Sequence, residues 1–391
     1  MDLQQAMARH LTDTILPFWT GLTDTVHGGY TGYVGYDLQT DPDAPKGCIM
    51  NSRILWFFST ACTVLKRPDL LYYAQQAYRY FDRFVDAEQG GLFWLCAADG
   101  TPLDETKHTY NHAFAVYALA AYYQASGDMQ ALHRALALVE LMETRMTKDG
   151  QYLDAFDRAF HPLQNDKLSD NPILTARGVI AEKTMNTVLH VLEAYTLVYE
   201  ACCDARVGER LRDLLALIRD KVYNAAENRL DVFFDSGMHS LIDMQSYGHD
   251  IEASWLIDRA ADAVLTGEDR TQIKRLTTRL AQGVLTRALT GGSLCNERVE
   301  DTLDTTRIWW VQAETMIGMA NLYQKTKNPM LPERMRTLWR YIQTHIVDPR
   351  PGGEWFAAVD AQGSAKPLPI ADPWKAPYHN GRMCMEMMKR L

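Results

Sequence analysis

Short turns that combine glycine with aromatic residues recur along the chain at a nearly constant interval. They read HGGYTGYV at 27–34, GGLFWL at 90–95, DGQYLDAF at 149–156, GGSLCNE at 291–297 and GGEWFAAV at 352–359, with a glycine-free copy, RLDVFFD, at 229–235. One marker can be taken from each turn: Gly29, Gly91, Gly150, Leu230, Gly292 and Gly353. Successive markers are 62, 59, 80, 62 and 61 residues apart. A fixed period of this kind predicts a repeat architecture of six units, with an insertion in the third.

Between the turns, the apolar residues are spaced as they are in helices. Stretches such as ILWFFSTACTVL and AFAVYALAAYYQ are apolar nearly all round, which is typical of buried helices. They alternate with amphipathic stretches such as LLYYAQQAYRYFDRFV and RLRDLLALIRDKVY, which suit an outer layer with one wet face. Six units of one inner and one outer helix predict an all-α (α/α)6 barrel. We expect a single domain over residues 1–391, with the glycine turns as short β-hairpins at one end.

Polar and aromatic residues cluster where the buried helices begin. The six starts read NSRILWFF, KHTYNHAFAVY, EKTMNTVLHVLEAY, SYGHDIEASW, TTRIWWVQAE and PYHNGRMCMEM. If the inner helices run parallel, these starts meet at one end of the barrel, and we expect the glycine turns at the other end. The convergence predicts a pocket rimmed by Arg, His, Glu and aromatic residues over an apolar floor, which is the composition of a small-molecule site.

Two histidines at these starts, His249 and His379, are the leading candidates for chemistry. Glu252 follows His249 on the same helix face, where a carboxylate can orient an imidazole and tune its basicity. Two histidines on different helices can stand on opposite faces of a ligand, which suits removal of a proton from one face and its return to the other. Abstraction beside a carbonyl creates an enediolate, and the guanidinium of Arg53 can stabilise that oxyanion.

Composition and motifs disfavour several other classes of function. A net charge of -9 without a Lys/Arg run argues against nucleic acid, and the lack of a phosphate-binding glycine loop argues against a nucleotide cofactor. The H-x-x-E pair lacks a further ligand at metal spacing, so we expect no metal. Seven cysteines without a C-x-x-C pair fit free thiols in a reducing compartment. With no signal peptide and no apolar segment of membrane-spanning length, we expect a cytoplasmic protein without membrane contact.

The helix starts also resemble a known family. SRILWFF, KHTYN, KTMN with LHVLEAYT, SYGHDIEASWL, the R-x-WW-x-QAE segment, GGEWF and WKAPYHNGRM occur in order over essentially the whole chain. Together they resemble the N-acylglucosamine 2-epimerase family, and within it the branch that acts on disaccharides. The resemblance implies an (α/α)6 barrel that interconverts glucose and mannose at the reducing end of β-1,4-linked disaccharides such as cellobiose, lactose and mannobiose. It implies neither a metal nor an organic cofactor.

The resemblance also implies roles for individual residues. His249 and His379 would be the proton-transferring pair, Glu252 would support His249 and assist ring opening, and Arg53 would polarise the O1/O2 side of the enediolate. The residues implied to contact the sugars are Tyr110, Asn186, His190, Trp309 and Trp374, with Trp374 stacking on the second sugar. Because Trp309 and Trp310 are adjacent, they cannot share a helix face, and we expect one to point inward and the other to pack between helices.

One segment departs from the family pattern, and it holds the extra length of the third unit. Residues 161–182 are expected to form a long loop over the mouth of the barrel, in which a ligand contact is suggested only for Asp170.

Other functions stay open on the sequence alone. Return of the proton to C1 would make the protein an aldose–ketose isomerase of the mannose isomerase type, and an acylated amino sugar as substrate would make it an N-acylglucosamine 2-epimerase. A non-catalytic sugar-binding protein could use the same barrel. A glycoside hydrolase would need two carboxylates flanking the bond, and only Glu252 is well placed. We expect a small-molecule sugar as partner and a monomer or weak homodimer.

Overall fold

The structure is a computed structural model that describes residues 2–165 and 172–391. Its helices are, in chain order, α1 (Leu3–His10), α2 (Leu16–Gly21), α3 (Cys48–Leu65), α4 (Leu70–Tyr80), α5 (Thr109–Ser126), α6 (Met129–Arg145), α7 (Pro172–Arg177), α8 (Met185–Cys202), α9 (Ala205–Leu217), α10 (Tyr247–Val264), α11 (Gly267–Arg287), α12 (Trp309–Thr326), α13 (Leu331–Tyr341) and α14 (His379–Arg390). A π-helical turn at Leu11–Ile15 joins α1 to α2. Similar turns extend α9 (Ile218–Val222) and α13 (Ile342–Ile346), and a 3-10 turn extends α4 (Phe81–Phe84).

Six of these helices form a closed inner ring. They are α3, α5, α8, α10, α12 and α14. Each contacts the next in this order, and α14 contacts α3, which closes the ring. The inner helices are apolar nearly all round because they are covered on every side; in α5, every residue from Ala113 to Tyr122 is buried. The predicted (α/α)6 barrel is confirmed.

The outer helices each pack one face against an inner helix. The outer layer consists of α1 with α2, then α4, α6, α9, α11 and α13, and each contacts the inner helix beside it. Helix α13 illustrates how one face is buried and the other is exposed to solvent. Its residues Leu331, Met335 and Leu338 are buried, whereas Glu333 and Arg340 form an ion pair on the solvent-exposed side. This spacing places the apolar side chains on one stripe of the helix. The amphipathic stretches of the sequence therefore form the outer layer, as predicted.

Short antiparallel strands link neighbouring units. The strands are β1 (Lys46–Gly47), β2 (Leu95–Cys96), β3 (Pro102–Asp104), β4 (Lys107–His108), β5 (Thr147–Lys148), β6 (Gln151–Tyr152), β7 (Ala155–Phe156), β8 (Pro162–Leu163), β9 (Lys183–Thr184), β10 (Tyr223–Asn224), β11 (Arg229–Leu230), β12 (Phe233–Phe234), β13 (Met244–Ser246), β14 (Leu289–Thr290), β15 (Ser293–Leu294), β16 (Glu297–Val299), β17 (Thr302–Asp304), β18 (Arg307–Ile308) and β19 (Ala358–Val359). The strand before an inner helix pairs with the strand after the next unit's turn, as in β1–β2, β4–β7, β9–β12, β13–β16 and β18–β19. A bridge from Val34 to Ala371 makes the sixth such link, between the first and last units.

The glycine turns lie at the end of the barrel where the inner helices begin. Lys46, two residues before α3, donates from Nζ to Asp24 Oδ2 (2.6 Å) and to the carbonyl of Gly28 (2.7 Å). Lys107, just before α5, binds Asp86 (2.9 Å) and the carbonyl of Gly90 in the same way. The expectation that the turns occupy the opposite end is therefore wrong. Each turn and the following helix start belong to one long outer-to-inner connection, so both must lie on the same side.

Helix α3 corrects the expectation that no apolar segment reaches membrane-spanning length. Its 18 residues, Cys48–Leu65, are long and apolar enough to cross a membrane by length and composition. Most of the helix is buried inside the barrel, however, and its apolar character is accounted for by contacts with α4, α5 and α14. A fully covered core helix and a membrane span share this composition, so the length of the apolar stretch does not distinguish them.

Candidate active site

A cavity of about 330 Å³ opens where the inner helices begin. All nine residues predicted as catalytic or sugar-binding line it: Arg53, Tyr110, Asn186, His190, His249, Glu252, Trp309, Trp374 and His379. They come from all six inner helices and from the segment before α14, so the parallel arrangement of the ring brings them together. Asp170 lies outside the described residues.

His379 is oriented by a buried carboxylate. Its Nδ1 donates to Glu314 Oε1 at 2.8 Å, which leaves Nε2 as the nitrogen available to a ligand. The indole of Trp255 donates to the other oxygen of Glu314 at 3.0 Å and fixes that carboxylate in turn. Burial holds the pKa of His379 well below its usual range, and the charges of Arg382 and Arg53 lower it further. Without a ligand, His379 is therefore a neutral imidazole with its lone pair on Nε2.

His249 is oriented by a hydroxyl. Its Nδ1 lies 2.7 Å from the Oγ of Ser246, the residue immediately before α10. Burial lowers the pKa of His249 to about 3, with a contribution from the nearby His190. The expected support from Glu252 is corrected here, because that carboxylate instead accepts from Arg382. Glu252 lies nearly one turn further along the helix, where it meets the guanidinium that α14 projects into the barrel.

The indole of Trp310 lies beside both histidines. Its ring centroid is 4.8 Å from that of His249 and 5.4 Å from that of His379. Trp309 also lines the cavity and meets His379 edge-on at 5.4 Å, so the expectation that one of the pair packs between helices is wrong. Because α12 begins at Trp309, side chains there project towards the mouth. Gly248 makes room, since a Cβ at that position would come within 2.5 Å of the Trp310 ring.

Arg382 binds three buried carboxylates beneath the histidines. Its Nη1 donates to Glu193 at 2.5 Å, and its Nη2 donates to Glu314 at 2.7 Å and to Glu252. Glu193 also pairs with Nδ1 of His190 at 2.9 Å. One guanidinium therefore connects the partners of His190 and His379. The assignment of roles from the sequence missed Arg382, Glu193 and Glu314, although the three-residue spacing between His190 and Glu193 was a usable signal.

The same carboxylates could be mistaken for a metal site. Glu252, Glu314 and His379 present possible ligand atoms that lie within 4.8 Å of one another. The guanidinium of Arg382 already binds both carboxylates, so a cation occupies the position where their charges converge. We interpret the group as an ion-pair network rather than as a set of metal ligands.

Glu252 differs from the other carboxylates in its proton affinity. Burial raises its pKa to about 7, an effect that the nearby Glu314 strengthens and Arg382 opposes. Glu193, by contrast, has its pKa lowered to about 2, because the charge of Arg382 and the hydrogen bond from His190 outweigh burial. Close to neutral pH, Glu252 therefore binds a proton that Glu193 does not. A buried carboxyl in this state can act as an acid.

Three polar atoms on the cavity wall are buried without a hydrogen-bond partner among the described residues. They are Nε of Arg53, Oδ1 of Asn186 and Oε2 of Glu252. A buried polar atom that is left unsatisfied costs about 1–3 kcal/mol, so a ligand rich in hydroxyl groups would gain by filling this cavity. The three atoms offer both donors and acceptors, which matches the hydrogen-bonding capacity of a sugar.

Arg53 connects the catalytic end of the cavity with its mouth. Its Nη2 donates to the hydroxyl of Tyr110 at 2.8 Å, and its Nη1 donates to the carbonyl of Trp374 at 2.5 Å. Trp374 is 44% exposed and packs against Trp94, with ring centroids 5.3 Å apart. A smaller cavity of about 90 Å³ adjoins here and shares Tyr110, Asn186, His249 and Trp374 with the larger one. The two joined cavities suit a ligand of two linked rings.

The chain is similar to known epimerases in sequence and in fold. The profile of the N-acylglucosamine 2-epimerase (GlcNAc 2-epimerase) family matches residues 28–381. Cellobiose 2-epimerase from Dictyoglomus turgidum is 40% identical over 390 residues, which cover 100% of this chain and 99% of the relative. Cellobiose 2-epimerase from Ruminococcus albus is 43% identical over 98% of this chain and 97% of its own. The structure of cellobiose 2-epimerase from Bacillus thermoamylovorans B4167 superposes with a TM-score of 0.95 at 40% identity, covering 100% of this chain and 99% of that one.

Proposed function

The chain belongs to the N-acylglucosamine 2-epimerase family, and on that premise we propose that it is a cellobiose 2-epimerase. It interconverts glucose and mannose at the reducing end of β-1,4-linked disaccharides. The observation that carries the proposal is the pair of neutral imidazoles, His249 and His379, which line one cavity and both lie beside Trp310. Such a pair can serve the two faces of a C2 carbon held between them.

The first chemical requirement is ring opening, because only the open-chain aldehyde acidifies the C2 proton. Opening moves a proton from the O1 hydroxyl to the ring oxygen. Glu252 binds a proton near neutral pH, and its Oε2 has no other partner in the described part of the chain. It is placed in the cavity to donate that proton, while a neutral histidine accepts the one from O1.

The second requirement is proton transfer at C2. One imidazole removes the C2 proton through Nε2, and the electron pair moves onto the aldehyde oxygen to give a cis-enediolate. Arg53 faces that side of the cavity, and its guanidinium stabilises the oxyanion. The second imidazole, which holds the proton taken from O1 during ring opening, returns it to the other face of C2. Ring closure moves the ring-oxygen proton back to Glu252 and the proton on the first imidazole to O1, so both histidines and Glu252 recover their starting protonation.

The preference for a disaccharide follows from the mouth of the cavity. Trp374 presents an exposed indole beside Trp94, and both tryptophans line the adjoining smaller cavity. Aromatic faces bind the apolar C–H faces of sugars, so this region suits the second, non-reacting ring. Return of the proton to C1 would give an aldose–ketose isomerase instead, and relatives of 40% identity or more over nearly the whole chain make this alternative less well supported. The cytoplasmic location and the monomer or weak homodimer stay predictions.

Product analysis tests the proposal. Purified protein incubated with cellobiose should form glucosyl-mannose, and His249→Ala and His379→Ala should each abolish this turnover while sugar binding is largely retained. His161→Ala is the matched control, because His161 is an exposed surface histidine paired with Asp157. A fructose-type product would identify an isomerase. No turnover of cellobiose, lactose, mannobiose, glucose, mannose or N-acetylglucosamine would indicate a sugar-binding protein.

A further inference from the structure

We propose that Glu354, in the last glycine turn, is a positioning residue that holds both the catalytic His379 and the sugar-facing Trp374 in place. The proposal rests on the proposed function for what those two residues do. Of the five glycine turns, only this one places a carboxylate directly after its glycines, since the others continue with Tyr30, Leu92, Gln151 and Ser293. In the first two units, the lysine before the inner helix binds a carboxylate that precedes the glycines, so the position of Glu354 after them distinguishes the last turn.

Glu354 is fully buried and accepts four hydrogen bonds. Its Oε1 accepts from the indole of Trp19 at 3.3 Å and from Nδ2 of Asn380. Its Oε2 accepts from the backbone N–H of Trp355 at 2.7 Å and from Nζ of Lys375 at 2.9 Å. Two of these donors, Lys375 and Asn380, directly neighbour residues that line the active site. One carboxylate therefore joins two separate segments of the site.

The contact with Lys375 supports the sugar-binding side. Lys375 follows Trp374, and its Nζ also donates to the carbonyl of Ile370 at 2.7 Å. The ammonium lies 4.8 Å from the ring centroid of Trp309, within the wall of the cavity. Because Lys375 directly follows Trp374, movement of this segment would displace the indole at the mouth of the cavity. Loss of the Lys375 contact should therefore weaken sugar binding.

The contact with Asn380 supports the catalytic side. Asn380 follows His379 at the start of α14, where Tyr378, the residue before the helix, makes no side-chain capping bond. Its side-chain amide donates to Glu354, and its Oδ1 accepts from the backbone N–H of Gly381 at 3.0 Å. This arrangement fixes the first turn of α14 and hence the direction of the His379 ring. Loss of the Asn380 contact should slow the chemical step more than it weakens binding.

A role in stability alone would not account for this arrangement. A buried ion pair contributes little net stability compared with apolar side chains of similar volume, because both charges must be desolvated. Glu354 and Lys375 are both almost fully buried, so their pairing gains more in defined geometry than in folding free energy. Misplacement of a catalytic group by a fraction of a helix turn is enough to reduce turnover strongly.

The experiment compares four variants of the full chain. Lys375→Met should raise KM for cellobiose about fivefold or more with kcat within about twofold, and Asn380→Ala should lower kcat about tenfold or more with KM within about twofold. Glu354→Gln should show both effects. Asp258→Asn is the matched control, because Asp258 is a buried carboxylate bound by Lys325, Thr277 and Asn321, about 14 Å along α10 from His249. Asp258→Asn should lower the melting temperature without changing kcat or KM for cellobiose.

Two further readouts separate this proposal from the proposed function. Cellobiose affinity is measured by tryptophan fluorescence, and the reactivity of His379 is measured as its rate of carbethoxylation by diethyl pyrocarbonate. Glu354→Gln should change both, Lys375→Met only the affinity, and Asn380→Ala only the reactivity. If all four variants lower the melting temperature but leave the constants, affinity and reactivity unchanged, Glu354 is merely structural. If the unaltered protein binds cellobiose without turning it over, the proposed function fails, and affinity and reactivity still decide the role of Glu354.

Discussion

The two histidines that we propose as catalysts have different orienting partners, and this difference predicts unequal effects of two substitutions. His379 donates to the carboxylate of Glu314 at 2.8 Å, whereas His249 lies 2.7 Å from the hydroxyl of Ser246. Glu314→Gln removes the charge behind His379 and leaves a side chain of nearly the same shape. Ser246→Ala removes the single oxygen behind His249. Both substitutions leave the groups that face the ligand in place.

The magnitudes follow from the type of hydrogen bond that is lost. A hydrogen bond to a charged group contributes about 1.5–3 kcal/mol and a neutral one about 0.5–1.5 kcal/mol. At about 1.36 kcal/mol for each factor of ten, Glu314→Gln should lower kcat about 10- to 150-fold and Ser246→Ala about 2- to 13-fold. The larger effect is expected for Glu314 also because its charge stabilises the imidazolium that forms when His379 accepts a proton.

Steady-state rates on cellobiose test this prediction, with melting temperatures measured for each variant. Glu314 also accepts from Arg382 and Trp255, so some loss of stability is expected, and rates must be taken well below the melting temperature. KM should change by less than about threefold in Glu314→Gln, because Glu314 is fully buried and lines neither cavity. Equal losses of kcat, or a larger loss in Ser246→Ala, would refute the view that a charged partner distinguishes His379 from His249.

Three further predictions concern sugar contacts and pH. Arg53→Lys keeps the charge but loses the planar fork, so kcat/KM for cellobiose should fall about tenfold or more in initial-rate assays. Trp374→Ala should raise KM for cellobiose but not for mannose, because its indole faces the second ring; an equal rise for both sugars would contradict this placement. Burial lowers the pKa of His112 to about 4, so between about pH 6.5 and 4 this side chain binds a proton in the unfolded chain but not in the folded protein. The contribution of His112 to the free energy of unfolding should therefore fall as the pH is lowered through this range, and urea unfolding should show a smaller difference between the unaltered protein and His112→Asn at about pH 4.5 than at about pH 7.

The barrel could be predicted from the sequence because its signals are repeated. Turns at a period of about 61 residues and an alternation of buried and amphipathic helices are found in several units. A single exception, such as the glycine-free turn at 229–235, therefore does not change the prediction of six units. The position of the site follows from the same logic. Every inner helix carries its polar residues at its start, and the parallel ring brings those starts together.

Pairing within the site could not be predicted in the same way. The three-residue spacing of His249 and Glu252 indicates a shared face, but Arg382 is 130 residues away in the chain and binds Glu252 instead. Helical spacing predicts which side chains are neighbours on one helix, but it does not predict which charged side chains another helix places beside them. The position of Trp310 could not be predicted either. Adjacent residues in the middle of a helix point to different faces, but in the first turn of α12 both Trp309 and Trp310 reach the cavity.

The central claim is that C2 loses its proton to one imidazole and regains one from the other. Turnover of cellobiose in D2O, with the product examined by NMR and mass spectrometry, tests this claim most directly. The account predicts glucosyl-mannose that carries one deuterium, at C2, and no such product from His249→Ala or His379→Ala. Product that keeps hydrogen at C2 would contradict it, because the epimerisation would then proceed without exchange of the C2 proton through the histidines.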